Sequence, residues 1–481
     1  MEFRFIKAAV VACFLGGTFP AVASPTAYLP IGMDAQLDHQ LDTLFALTSG
    51  TPMAKPYRLT EVEAALSKLQ ATQPALVSAI RAKIKPYQGT DNITRVGIKL
   101  TVDGDKTVKL ANQRGVSSDE WGQGFFEGIW RPNDYMLMQI GADYRAKQNK
   151  FTNYNSFISF AGDDLQLNIG YKEHWFSPFK QSAQIISTNA RTSPSISLGM
   201  VAPAHNWWNF DFELYYSELE HGANAVWSKG ERHDGTPKLA GTHFSIEPIS
   251  GWKVGFNRMM QFGGGPREAS AEDVFKAFFD PAGQDNSELA GGADNELGDQ
   301  TASITSVINF NLGMPVELYI EYGGEDTKSH KNYQFGNTVS SLGIFLPKVG
   351  SKTSIRYEFT NMHASWYTNY LYPTYGNSKE GFVVGNFVAD QRVFLNAVPT
   401  KLHTFEISTF DSLESLWRAK LVMINNEQDS VEYASVQYEQ AIELQLSNNR
   451  QWQEYNIETT LTYGEDVFGD DYAWLSVALF W

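Results

Sequence analysis

Cysteine is nearly absent from this chain: Cys13 is the only one, so neither a disulfide nor a thiolate metal site can be built. After the N-terminus there is no apolar run near the ~20 residues a helix needs to cross a bilayer, which excludes a helical membrane protein. Cations are few, 38 Lys and Arg against 54 Asp and Glu, for a formal charge of −16. A phosphate backbone calls for a basic face, so a nucleic-acid partner is excluded. None of the nine histidines lies within nine positions of another, and no His-Glu-x-x-His, Gly-x-Ser-x-Gly or phosphate-loop pattern occurs. The sequence therefore gives no support for a metal, a cofactor or a catalytic residue, and we read the chain as not an enzyme. Glu317 with Glu321, and Glu454 with Glu458, have the spacing of one wall of a polar channel. A glycosidase needs its two carboxylates across a scissile bond.

What is present is aromatic residues, 14% of the chain, with 39 glycines and a mean hydropathy of −0.30. That mixture suits strands that are apolar on one face only. The last stretch, Tyr472 to Trp481, is the clearest case. Leu475, Val477, Leu479 and Trp481 fall on one side and Trp474, Ser476, Ala478 and Phe480 on the other. As a soluble edge strand this segment invites aggregation. In a closed barrel it pairs with the first strand and sets its final aromatic in an interfacial girdle. Such a strand is also a handle for the barrel-assembly machinery.

The start reads as a cleaved secretory signal over 1–23: Arg4 and Lys7, an apolar stretch Ala8 to Gly17, and Ala21-Val22-Ala23 before Ser24. Residues 24–90 have helical period. Asp34 can cap a helix carrying Leu37, Leu41 and Leu44; Thr60 and Glu63 have capping-box spacing; Pro74 can open a third helix. From 91 to 481 the period is two. Short turns, among them those near Pro132, Gly162, Pro248, Gly313, Lys348 and Ser447 to Arg450, alternate with longer loops at 175–194, 220–240, 263–299, 325–334 and 363–400 and brief ones near 148–152, 426–431 and 464–470. The sequence thus predicts an all-β transmembrane barrel of about 18 antiparallel strands above a small N-terminal α-helical periplasmic domain. Both chain ends fall on the periplasmic side.

Several segments carry a family resemblance: Tyr28-Leu-Pro-Ile-Gly-Met33, Thr51-Pro-Met-Ala-Lys-Pro56, and Tyr171-Lys-Glu-His-Trp175 followed by Ser187-Thr-Asn-Ala-Arg191 ahead of Pro194. With these the mature chain resembles the Wzi-type capsule-assembly proteins of Gram-negative outer membranes. Trp175 is followed by Phe-Ser-Pro where a Gly-Pro pair is expected, a local departure. The resemblance implies an eighteen-stranded barrel with a helical periplasmic bundle. It also implies a lectin role, helping to assemble capsule and to anchor capsular or exopolysaccharide at the cell surface.

Sugar rings stack on flat aromatic faces, so Trp366, Tyr367, Tyr370, Tyr372 and Tyr375 in loop 363–400 are candidate carbohydrate contacts. The ordinary alternative is that they belong to the girdle or to the loop's own packing. Asn189 and Arg191 are candidate hydrogen-bonding partners for a glycan, or else they brace their loop inside the lumen. Loop 263–299 is acidic, and Val274, Phe275, Phe278 and Phe279 have the spacing of a short helix that can fold inward over the pore. The expected partners are surface polysaccharide, outer-membrane lipids and lipopolysaccharide. The alternative function is a diffusion channel for small polar solutes.

Overall fold

The computed structural model describes residues 24–280, 294, 296–328, 331–393, 396–412, 415–427 and 436–481. The expected signal, 1–23, lies outside the described residues. Three helices open the described chain, α1 (Ala35–Ala46), α2 (Leu59–Leu69) and α3 (Pro74–Ile84). Asp34 caps α1, its carboxylate accepting from the backbone N–H of Gln36 and Leu37, and Pro74 opens α3. Helix α2 begins at Leu59 with Arg58 at its N-cap position. The Thr60 hydroxyl is not used as a cap; it donates to the carbonyl of Val201 on the barrel at 2.6 Å.

The strands follow. They are β1 (Asp91–Asp103), β2 (Gly122–Asn133), β3 (Met136–Arg145), β4 (Lys150–Asn153 continued by Ser156–Ala161), β5 (Leu165–Tyr171) and β6 (Ser195–Met200). Next come β7 (Asp211–Glu218), β8 (Lys238–Ile249), β9 (Trp252–Phe262), β10 (Gly298–Asn311), β11 (Pro315–Thr327) and β12 (Phe335–Val349). The last six are β13 (Thr353–Met362), β14 (Thr400–Ser412), β15 (Ser415–Asn426), β16 (Ala441–Trp452), β17 (Tyr455–Glu465) and β18 (Asp471–Phe480). Each pairs antiparallel with its neighbours, and β18 closes on β1 with Trp474 opposite Asp103 and Phe480 opposite Gly97. The expected eighteen-stranded closed barrel is what is observed.

Alternation decides what each wall residue meets. On β18, Leu475 and Val477 face outward and Trp474, Ser476 and Phe480 inward, as the sequence predicts. Ile98, Leu100, Ile304, Ile320, Leu342, Leu444 and Leu461 continue the outward apolar belt. Of the 12 tryptophans, Trp130, Trp207, Trp208, Trp252, Trp417, Trp452 and Trp481 are exposed around the short-turn end. A concentration of tryptophan on one rim marks a membrane–water interface.

Two expected turns move. The one placed at Ser447–Arg450 lies at 453–454, because β16 runs on to Trp452 and Gln453 takes the positive φ of 57° that the turn needs. The one at Lys348 shifts to 350–352, with Gly350 at φ 72°. The connection expected at 426–431 spans 427–440.

Helix α1 does not stop at the mouth; it enters the lumen. The carbonyl of Ala46 accepts from Asn309 at 2.9 Å, and Thr51 donates its backbone N–H and hydroxyl to Glu317 at 2.8 and 2.7 Å. Arg58 is bridged to Asp211 by both guanidinium nitrogens. Leu41, Leu44, Val62, Leu66 and Ile80 form the apolar core that the three helices share, and Ile129 and Leu137 of the barrel wall join it.

Candidate functional site

A second stopper comes from the opposite end. The segment 172–194 leaves β5 and turns down into the barrel, where Trp175 and Lys55 pair through their backbones at 2.8 and 3.0 Å. Lys55 Nζ and Trp175 Nε1 both donate to the carbonyl of Phe179, at 2.8 and 3.1 Å. Burial pulls the Lys55 pKa down, and Lys180 nearby pushes the same way. The wall supplies the acceptors that hold this loop. Glu321 accepts from Ser177 at 2.8 Å, and Glu358 accepts from the backbone N–H of Lys180 and of Gln181 at 2.9 Å each. His174 lies between Glu213 and Ser195 at 2.6 and 3.0 Å, stacked 4.3 Å over Tyr215. The Glu317 and Glu321 carboxylates thus fasten plug and loop rather than forming an acid–base pair.

Among the spaces that plug and loop leave open is a polar cleft of about 200 Å³ along the inner wall of β14–β18. It runs from Ala35 and Asp38 of the plug to Asp466 and Tyr472 at the loop end. Lys99, Lys109, Lys180, Arg418 and Lys420 are set against Asp38, Glu406, Glu443, Glu458 and Asp466, with Gln113, Gln181, Gln445, Ser447, Thr460 and Ser476 between them. Trp474, Tyr472 and Phe387 supply the rings. The indole Nε1 of Trp474 is buried with no hydrogen-bond partner among the described residues. A buried N–H left so is costly unless something completes it. Mixed donors and acceptors beside a few rings can bind a neutral or charged polyol.

The candidates read from sequence fall into two groups. Trp366, Tyr367 and Tyr372 are at most 1% exposed. Trp366 Nε1 donates to the carbonyl of Asn337 at 2.7 Å, and the Tyr367 hydroxyl donates to that of Gln184 at 2.6 Å while accepting from Asn386 N–H at 2.8 Å. These three form the interior of loop 363–399. Tyr370 is 47% exposed, donates to Glu296 and meets the Trp227 ring at 6.3 Å; Tyr375 is partly buried against the cluster of Ala225, Val226, Leu371 and Tyr372. Asn189 is buried, and its oxygen accepts from Asn112 N–H at 3.1 Å. Arg191 forms an ion pair with Glu380 at 2.6 Å at the mouth, near Lys150 and Lys379. Burial together with the Arg191 charge lowers the Lys379 pKa to about 8. The cleft residues Arg418, Lys420, Gln445 and Trp474 were not singled out. Their signal was the inward half of each strand's alternation, where cations and amides replace the small polar residues of a plain wall.

The family model for capsule assembly protein Wzi matches residues 93–394. The chain belongs to the Wzi family. Among curated proteins, an uncharacterized 55.8 kDa protein in the cps region of Klebsiella pneumoniae is 26% identical over 264 residues, covering 53% of this chain and 47% of that protein. The chain thus spans about half the length of that relative. The solved structure of Escherichia coli Wzi, described as an outer-membrane protein involved in group 1 capsule assembly and a carbohydrate-binding β-barrel, aligns at TM-score 0.71 and 15% identity over 96% of this chain and 99% of that one. At that identity the likeness shows the fold. Acinetobacter baumannii OccAB4 aligns at only 0.47 and 8% identity, over 82% and 98% of the two chains.

Proposed function

We propose that this protein is a non-catalytic polysaccharide-binding barrel of the outer membrane, exported by a signal within 1–23, that holds capsular or exopolysaccharide at the cell surface and assists capsule assembly. Residues 24–90 serve as its periplasmic stopper and 91–481 as the barrel. The observation that supports the reading is that helix α1 and the inward loop both enter the lumen and leave a cleft lined by amides, hydroxyls, paired charges and the Trp474 indole, unsatisfied among the described residues. A solute channel has no use for two stoppers; a sugar chain has a use for those side chains. Membership of the Wzi family and the carbohydrate binding ascribed to the Escherichia coli protein support it. At the mouth, Tyr370, Tyr375 and Trp227 offer rings and Arg191, Lys150 and Lys379 offer charge, so a long polymer gains from many weak contacts at once. The buried Trp366, Tyr367, Tyr372 and Asn189 act by shaping that mouth.

The test is to delete the gene, complement it with wild type or a Lys420→Ala/Trp474→Phe variant, and partition surface polysaccharide between cells and medium. Polymer is expected to move to the medium in the deletion, with wild type restoring retention and the variant restoring it only in part. Equal retention with and without the gene would remove the anchoring role.

A further inference from the structure

The outer wall carries a feature that sugar binding does not use. On β9, Asn257, Met259 and Gln261 face the lumen, so Arg258, Met260 and Phe262 face outward, yet these are only 5%, 3% and 5% exposed. They are covered by a fourth helix, α4 (Ala271–Phe279), within the loop after β9. The sequence suggested that this helix folds inward over the pore. It lies outside instead, because its apolar face, Val274, Ala277 and Phe278, finds Met260, Phe262 and Ala240 on the outer wall. Arg258 donates to the carbonyls of Phe278 and Ala277 at 2.7 and 2.9 Å, last-turn acceptors that a helix leaves open.

Among the described residues nothing covers the far side of α4. Phe275 and Phe279, one helical turn apart, are 67% and 65% exposed, with ring centroids 5.0 Å apart. A serine–aspartate capping box at Ser270 and Asp273 and an ion pair between Glu272 and Lys276 at 2.8 Å make the rest of the surface polar. Asp280 accepts from Asn332 at 3.0 Å in the next loop, where Tyr333 is 79% exposed. Height identifies what those rings meet. A tilted barrel strand climbs about 2.5 Å per residue, so Arg258 stands ~15 Å and Phe262 ~25 Å above the girdle residue Trp252, the latter matching the top of a ~25 Å apolar band. Directly below, Ile304 of β10 is exposed in the lipid-facing belt.

We propose that α4 is an interfacial anchor: it lies along the barrel at the hydrocarbon–headgroup boundary of the leaflet nearest the long loops, with Phe275 and Phe279 among the acyl chains. The occupant is lipid because the bare stripe continues the belt upward at the height where hydrocarbon ends. The proposal depends on the barrel spanning a bilayer and is independent of sugar binding.

Full-length protein with Cys13 absent, reconstituted in phospholipid vesicles, would carry one nitroxide at a time through Phe275→Cys, Phe279→Cys, Glu272→Cys or Ile304→Cys. Collision with dissolved oxygen, which concentrates in hydrocarbon, is compared with collision with a water-soluble nickel chelate. The oxygen-to-nickel ratio is expected to be several-fold higher at 275, 279 and 304 than at 272. An apolar reading at 304 with ratios at 275 and 279 equal to that at 272 would overturn the anchor alone; a polar reading at 304 would overturn the membrane barrel itself. Dipolar broadening between labels at 275 would also overturn the proposal, by showing that a second copy covers the stripe.

Discussion

His39 and Asp42, one helical turn apart on α1, set how firmly the plug is held and at what pH. Asp42 accepts from Arg356 at 2.7 Å and Lys180 at 3.2 Å. Burial acts to raise its pKa, but Lys180 and Arg356 outweigh this and hold it at about 2. Burial, with the Arg418 charge acting the same way, lowers His39 from 6.5 to about 4, against the opposing pull of Asp42 and Glu406. The signs follow from which state binds the proton. As pH falls from 6.5 toward 4 the released plug takes up a proton that the docked one refuses, so docking weakens by about 3 kcal/mol across that window. Asp42 acts later: its contribution is present above 3.8 and is lost as pH falls toward 2. Protease susceptibility of residues 24–90 in the folded barrel is therefore expected to rise as pH drops below about 6, and to rise distinctly less between about 6 and 4 in His39→Gln. An unchanged profile in that variant would remove His39 as the cause. Asp42→Asn should loosen the plug at neutral pH by about 3 kcal/mol, because it leaves Arg356 buried without its closest carboxylate. None of this was legible beforehand. A histidine amid Leu37, Leu41 and Leu44 reads as a polar position on a surface helix, since the wall that buries it lies hundreds of residues away.

The inward loop shows what sequence can and cannot say about an element. Its existence and bounds were readable, 175–194 expected and 172–194 found, because strand alternation stops there. Its direction was not readable from spacing, although Trp175, Phe176, Phe179, Ile185 and Ile186 make it too apolar for a loop standing in water. Glu358 is its main clamp. It accepts from two loop backbone amides and from the Tyr319 hydroxyl at 2.8 Å. Glu358→Ala orphans one buried and two partly buried donors, which costs on the order of 2 kcal/mol locally. Amide exchange at 180 and 181 is expected to accelerate at least tenfold while exchange along β16–β18 is unchanged; equal rates in wild type and variant would show that another group positions the loop. The same limit applies to Trp366, Tyr367 and Tyr372. Their ring chemistry suits sugars, but a loop of this length needs an interior, and which rings fill it is settled by packing rather than by residue type.

For the whole molecule, the strand count, both chain ends on one side and the aromatic closing strand could all be read in advance, because lipid imposes a two-residue period on every strand and girdles on both rims. Filling of the lumen obeys no such period. A cylinder of eighteen strands is wide enough to conduct water and small solutes unless blocked, and here each stopper is fixed to the wall by its own buried carboxylates, Glu317 for the helical segment and Glu321 with Glu358 for the loop. The stoppers also hold each other through Lys55 and Trp175, so removing one both opens its half of the lumen and loosens the other. In planar bilayers the intact protein is therefore expected to show conductance far below that of an open barrel of its width, and excision of residues 24–90 to raise it by an order of magnitude or more. Adding Glu358→Ala to the excised form should widen the openings again. Large steady openings from the intact protein would mean that plug and loop leave a through-path, and the cleft would then have to be understood as part of a channel.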